Sequence, residues 1–168
     1  MSLSPRPVAA LVVVAMQEEA EPFLRSLAPR PAAPDVALPG RAQAWSLDLG
    51  GHELVLLRCG IGLVAAASAL AGALAQVAPE VIVSAGTTGG LGRDVEVGDV
   101  CACTSTAYND VDATAFGYAL GQTPGQPPAF TADAGLVARV REVGQVALGA
   151  ATATSGSSRV HVGQMLSG

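Results

Sequence analysis

The sequence predicts an α/β fold built on a mixed β-sheet. Three observations carry that expectation: β-branched apolar runs alternate with alanine-rich stretches poor in helix breakers, several runs close on glycine, and Gly50-Gly51 joins two neighbouring runs as a hairpin would. A hairpin pairs its strands antiparallel, whereas strand–helix–strand units pair theirs in parallel, so the sheet is mixed. Half of the 168 residues are hydrophobic, enough for one sizeable core, and a single domain over residues 1–168 is expected.

Each element follows from local pattern. Val8 to Ala15 is valine-rich and predicts a buried strand, with Glu18 to Leu27 as a short helix after it. Residues 28–39 are proline-rich and predict a loop. Gln43 to Leu49 and His52 to Arg58 are the hairpin strands. Gly60-Ile61-Gly62 ends the second of them, and Leu63 to Val77 predicts a helix whose one breaker is Gly72. Glu80 to Ala85 predicts another buried strand, closing on the GTTGGLG of Gly86 to Gly92. Asp99 to Thr106 follows as a strand, Tyr108 to Phe130 as a long irregular segment, Asp133 to Leu148 as a helix and Val160 to Leu166 as a last strand.

Composition removes several function classes. Net charge is −5 and the nine basic residues, all arginine, are scattered, which argues against a nucleic-acid partner. The apolar run Val8 to Met16 is too short to span a membrane and lacks the pattern of a signal peptide, so a soluble, cytoplasmic protein with no membrane partner is expected. Cys101 and Cys103 alternate and share a strand face; with Cys59 they read as buried thiols of a reducing compartment. His52 and His161 stand apart without ligand spacing, so no metal is expected.

Ligands of α/β sheets sit at the carboxyl ends of strands, where this sequence places AMQEE, CGIG and SAGTTGG. Glu18 and Glu19 are adjacent carboxylates that repel each other and resist burial. Either both face water at the positive end of a helix, or one of them is used. GIG before a helix serves a tight turn or a phosphate equally well. GTTGGLG lets backbone approach a ligand closely, yet no Lys-Ser or Lys-Thr follows it, and no G-x-G-x-x-G with a downstream acid indicates a dinucleotide. Tyr108 to Phe130 holds four of the six aromatic residues: it either pins itself to its own domain or forms a functional or interface surface.

Taken in order, AMQEEAEPF, CGIGLVAAASAL, SAGTTGGLGRDVEVGDV and DVDATAFGYALGQTPGQPPAFTAD resemble the bacterial 5'-methylthioadenosine/S-adenosylhomocysteine nucleosidases, within the purine nucleoside and uridine phosphorylase superfamily. The resemblance runs from about Val8 to Gly168 and is most specific in DATAFGY and GQTPG. It implies a three-layer α/β/α sandwich with a central mixed sheet. It also implies hydrolysis of the N-glycosidic bond of both nucleosides, to adenine and a 5-thioribose product, without metal or organic cofactor. In this family a ribosyl cation forms, water attacks C1', and adenine leaves after protonation at N7.

Carried over residue by residue, the resemblance makes Glu19 the glutamate that activates the water. Thr87 stands where the family usually has a serine beside that water. Met16 and Ile61 match residues around the ribose and the 5' substituent, and Thr88 and Gly89 the loop under the nucleoside. Phe116, Tyr118 and Pro124 match a segment that a neighbouring subunit lends to the 5'-alkylthio pocket, so a homodimer is expected, with Tyr108 to Phe130 near the partner's site. Positive charge developing on the sugar gives a nearby carboxylate its use, and Glu18 is left as the exposed helix-start residue.

The same loop favours water over phosphate as nucleophile. Phosphorylases of the superfamily place an arginine-bearing loop there, whereas this chain has no arginine between Arg6 and Arg25. A phosphate dianion about 4 Å from these carboxylates would be repelled by roughly several kcal/mol in a poorly solvated pocket. The resemblance also implies a C-terminally incomplete chain. The family's last third carries an adenine-stacking aromatic, a ribose-gripping glutamate and the aspartate that protonates N7, and no residue here matches them. A non-catalytic nucleoside-binding fragment and a purine nucleoside phosphorylase therefore stand as alternatives.

Overall fold

In the computed structural model, which describes residues 4–27, 34, 38, 40–149 and 158–168, the valine-rich run forms β1 (Arg6–Val14) at the interior of a four-stranded sheet. The hairpin strands are β2 (Gln43–Leu49) and β3 (His52–Arg58), with Leu49 opposite His52. Gly50 and Gly51 both take positive φ, 63° and 88°, as a tight two-residue turn requires. β3 runs parallel to β1, with Ala10 opposite Leu54, and β4 (Val77–Ser84) runs parallel to β1 on its other side. The order β2-β3-β1-β4 makes the sheet mixed, as predicted. The proline-rich loop prediction falls almost wholly outside the described residues.

Over β1, β2 and β3 both faces of this sheet are covered. On one, Leu11, Ala44, Val55 and Leu57 pack with Ala69 and Ala73 of α2 (Leu63–Leu74). On the other, Val12, Val14, Trp45, Leu54 and Leu56 pack with Ala20, Phe23 and Leu24 of α1 (Gln17–Leu27). Neighbours along β1 and β3 thus alternate between two cores, which is why both strands read as unbroken apolar runs. Fully buried side chains such as Leu11, Leu56 and Leu57 each contribute about 1.5–3 kcal/mol of transfer free energy.

Two expectations need correction. Helix α2 stops at Leu74 rather than continuing to Val77, because Val77 is already paired with Arg6 and Pro79 disfavours helical backbone before it. The strand predicted from Glu80 begins at Val77 and is not buried: it is the last strand of this sheet, with Ile82 44% and Val83 37% exposed and Pro79 placed where an edge tolerates it.

The chain divides into two compact units, Met1–Thr88 and Gly89–Gly168. In the second, β5 (Val100–Tyr108) pairs in parallel with β7 (Val160–Ser167) and antiparallel with the two-residue β6 (Phe130–Thr131). The crossover that a parallel pair needs includes α3 (Ala134–Gly149), which packs against β5 and β7. The segment predicted as irregular holds a short 3-10 turn at Thr114–Phe116 and ends in β6, which its pattern did not announce. No helix among the described residues is long and apolar enough to cross a membrane.

Candidate active site

The end of β1 and the start of α1 turn Gln17, Glu18 and Glu19 in different directions. Glu18 is exposed, whereas Glu19 is half-buried and folds back over the helix start. The Ala15 and Met16 amides donate to its Oε2 at 2.8 and 3.0 Å. This is the reach of a glutamate in the third helical position capping the amides that open its own helix. From the end of β4, the Thr87 amide and hydroxyl donate to Oε1 at 2.7 and 2.8 Å. The Ala15 and Met16 amides come with β1, and Thr87 is brought alongside because β4 pairs with β1 as far as the bond from the Ala85 amide to the Val13 carbonyl, 2.9 Å.

A carboxylate has about four lone-pair directions, and here four donors fill them. Partial burial works to raise the Glu19 carboxyl, but the Thr87 amide and hydroxyl, with the Met16 and Ala15 amides, outweigh it and hold the group below the ordinary carboxylate range. Glu19 is accordingly an anion at neutral pH. Burial pushes the Cys59 thiol up, a backbone hydrogen bond works against this, and the Glu19 charge adds to the rise; its Sγ donates to the Val14 and Gly60 carbonyls at 3.2 Å each. Cys59 is thus a buried, protonated thiol, as its sequence context predicts.

Of the residues singled out by sequence, Met16, Glu19 and Thr87 are joined by hydrogen bonds, Met16 through its amide. Thr88 follows in the exposed loop, and Ile61 lies in the turn between β3 and α2, 78% exposed. Gly89 opens the second unit. Within that unit Phe116 is 83% exposed in its 3-10 turn, Tyr118 is half-buried and Pro124 is exposed. A groove of about 650 Å³ under α3, lined by Thr104, Thr131, Val137, Arg141 and Val162 among others, includes none of these residues.

With this geometry in place, the chain can be set against known proteins. Residues 9–168 match the Phosphorylase superfamily. This chain belongs to the phosphorylase superfamily. A 5'-methylthioadenosine/S-adenosylhomocysteine nucleosidase of Bacillus thuringiensis (strain Al Hakam) is 46% identical to this superfamily member over 91 residues, 54% of this chain and 39% of the relative. The solved nucleosidase of Neisseria meningitidis in complex with methylthio-immucillin-A superposes with a TM-score of 0.81 at 33% identity, covering 95% of this chain and 64% of its own. The S-adenosylhomocysteine nucleosidase of Streptococcus pyogenes in complex with 5-methylthiotubericidin gives 0.79 at 27% identity, covering 100% and 65%. The chain thus spans about two fifths of the Bacillus relative and less than two thirds of the solved chains. Its fold is nucleoside phosphorylase-like, and the helix-covered mixed sheet of the first unit is the layered arrangement the resemblance implied.

Sequence reasoning missed two polar anchors of this superfamily member. Arg58, at the end of β3, donates from Nη1 to Gln17 Oε1 at 2.6 Å and from Nη2 to Gln43 Oε1, tying the AMQEE loop to β2 and β3. An arginine ending an otherwise apolar strand was the available signal. In the second unit His161 is not isolated: its Nε2 lies 2.7 Å from Oδ2 of Asp99, whose side chain is 2% exposed. The Glu96 and Arg159 amides also donate to that carboxylate, at 3.0 and 2.8 Å. Cys101 and Cys103 are half-buried rather than buried, although Ala102 between them is fully packed.

Proposed function

We propose that this chain carries the water-activating part of an N-ribosyl hydrolase that cleaves 5'-methylthioadenosine and S-adenosylhomocysteine to adenine and 5-thioribose products. The observation that carries this reading is the Glu19 carboxylate, held ionised by four donors at the carboxyl ends of β1 and β4. Cleavage of the glycosidic bond leaves positive charge on the ribosyl ring, and a fixed anion stabilises it as it develops. The Thr87 hydroxyl is a rotor: turning it away opens a lone pair on Oε1 to a water molecule, whose proton Glu19 takes as the oxygen bonds to C1'. Met16 and Ile61 pack around the ribose and the 5' substituent, and Thr88 and Gly89 lie in the loop under the nucleoside.

Relatives solved with methylthio-immucillin-A and with 5-methylthiotubericidin support the substrate class. The protein works in the cytoplasm as a homodimer in which exposed Phe116 and Pro124, with Tyr118, enter the partner's 5'-alkylthio pocket. Sedimentation at micromolar concentration gives a dimer if this holds, and a fully active monomer contradicts it.

Adenine release from 5'-methylthioadenosine in phosphate-free buffer tests the reaction. Glu19→Gln is expected to lower turnover about 10²–10⁴-fold while sparing nucleoside binding. Most of the wild-type rate surviving would remove Glu19 from the mechanism. Arg58 reaches the same loop through Gln17, so the phosphate dependence of the rate separates hydrolase from phosphorylase. Nucleoside bound but left intact by the wild-type chain identifies a binding fragment instead.

A further inference from the structure

Gly86 lies between the last pairing of β4 and Thr87, directly against the Glu19 side chain. A β-carbon built on Gly86 would stand 2.8 Å from Glu19 Oε1, 3.1 Å from Cδ and 3.2 Å from Oε2. The three nearest atoms all belong to one side chain, and carbon and oxygen at such distances repel rather than attract. The backbone does not demand glycine: Gly86 is absent from the described glycines with positive φ, so an alanine there meets no left-handed strain. What a methyl group would meet is the carboxylate.

We propose that Gly86 is a positioning residue for Glu19, its missing side chain being what admits the carboxylate to the Ala15, Met16 and Thr87 donors. The closest atom in the way is the far end of a flexible side chain, so the fold can absorb a methyl group at position 86 by letting Glu19 swing aside. The backbone amides of Ala15, Met16 and Thr87 then turn to water. Substitution at Gly86 therefore acts on the carboxylate and leaves the sheet intact. That placement stands on geometry alone; its effect on turnover rests on the hydrolase reading of Glu19.

A double-mutant cycle on this chain, with Gly86→Ala, Glu19→Ala and both together, tests the assignment. Carboxyl titration of Glu19 by carbon-13 NMR is followed in the wild type and in Gly86→Ala. The expected results are a Glu19 titration moved up toward the ordinary carboxylate range in Gly86→Ala, and a lowered melting temperature for Gly86→Ala in the wild-type background only. In the Glu19→Ala background the same change leaves the melting temperature unchanged or raises it, since alanine restricts the unfolded chain. An unmoved titration, or equal destabilisation in both backgrounds up to failure to fold, overturns the proposal, because Gly86 would then serve the backbone.

Adenine release is scored separately. Coupling between the two positions with full turnover in Glu19→Gln sinks the catalytic reading and leaves Gly86 as positioned here. Loss of turnover in Glu19→Gln without coupling to Gly86 does the reverse.

Discussion

In the first unit Leu11, Val55, Leu56 and Leu57 are fully buried; in the second, among the described residues, the buried apolar side chains are Ala102 and Ala113, while Val140, Val162 and Leu166 stay 43, 44 and 48% exposed. The contrast follows from layering. Helices α1 and α2 close both faces of the first sheet over β1, β2 and β3, whereas α3 is the helix packed on the sheet of the second. A charge that must sit within a fraction of an ångström of its target needs a support that does not move. Glu19 and its four donors lie in the first unit, in α1 and just beyond the ends of β1 and β4, and the aromatic segment of Phe116 and Tyr118 lies in the second, between β5 and β6. The half-buried charge is thus held at strand ends of the closed unit, and the exposed aromatic segment belongs to the open one.

The largest expected effect separates the two units by stability. Leu56→Ala removes a side chain with no exposed surface and is expected to cost about 2–5 kcal/mol, whereas Val140→Ala, at a half-open position, costs less than about 0.5 kcal/mol. Urea unfolding followed by circular dichroism measures both. Comparable costs would break the contrast between a closed sheet and an open one.

A smaller effect sharpens it with acid. The Glu96 amide first, then the Arg159 amide and, against the opposing effect of burial, His161 lower the Asp99 carboxyl from 3.8 to about 2. Because the folded value lies below the unfolded one, Asp99 stabilises the second unit in full above about pH 4 and loses that contribution as pH falls through about 2. Hydrogen exchange of β7 amides between pH 5 and pH 2 is expected to report this loss, and Asp99→Asn to remove it; an unchanged acid profile in the variant would show that another group anchors this unit. Glu19 is displaced in the same direction, so its contribution to the first unit is likewise present above its ordinary value of 4.5 and fades as pH falls through its lowered value.

Much of the fold was legible because it is written locally. The Gly50-Gly51 turn fixed the register of β2 and β3, and the alternation of two apolar faces marked β1 and β3 as covered on both sides. What pattern cannot carry is position within a sheet. The run Val81 to Val83 looks as apolar as β1, yet it lies on the last strand of its sheet. The two-residue β6 exists because Phe130 and Thr131 meet Thr106 and Ser105, and no period is visible in two residues. At the site, the separate fates of Glu18 and Glu19 were readable from the resemblance, since local pattern left both at the helix start. The Arg58–Gln17 tie and the Asp99–His161 pair were not, since their partners lie 41 and 62 residues apart and meet only in the finished sheets.

The bonds between Glu19 and Thr87 join positions 68 residues apart. They form only after β4 has come to lie along β1, the most distant pairing in the first unit, whose loop-closure entropy is met late. Glu19 is ionised before and after folding; what the finished sheet adds is a fixed address for that charge, since the donors of Thr87 reach it only once the chain as far as residue 87 has taken its place beside β1.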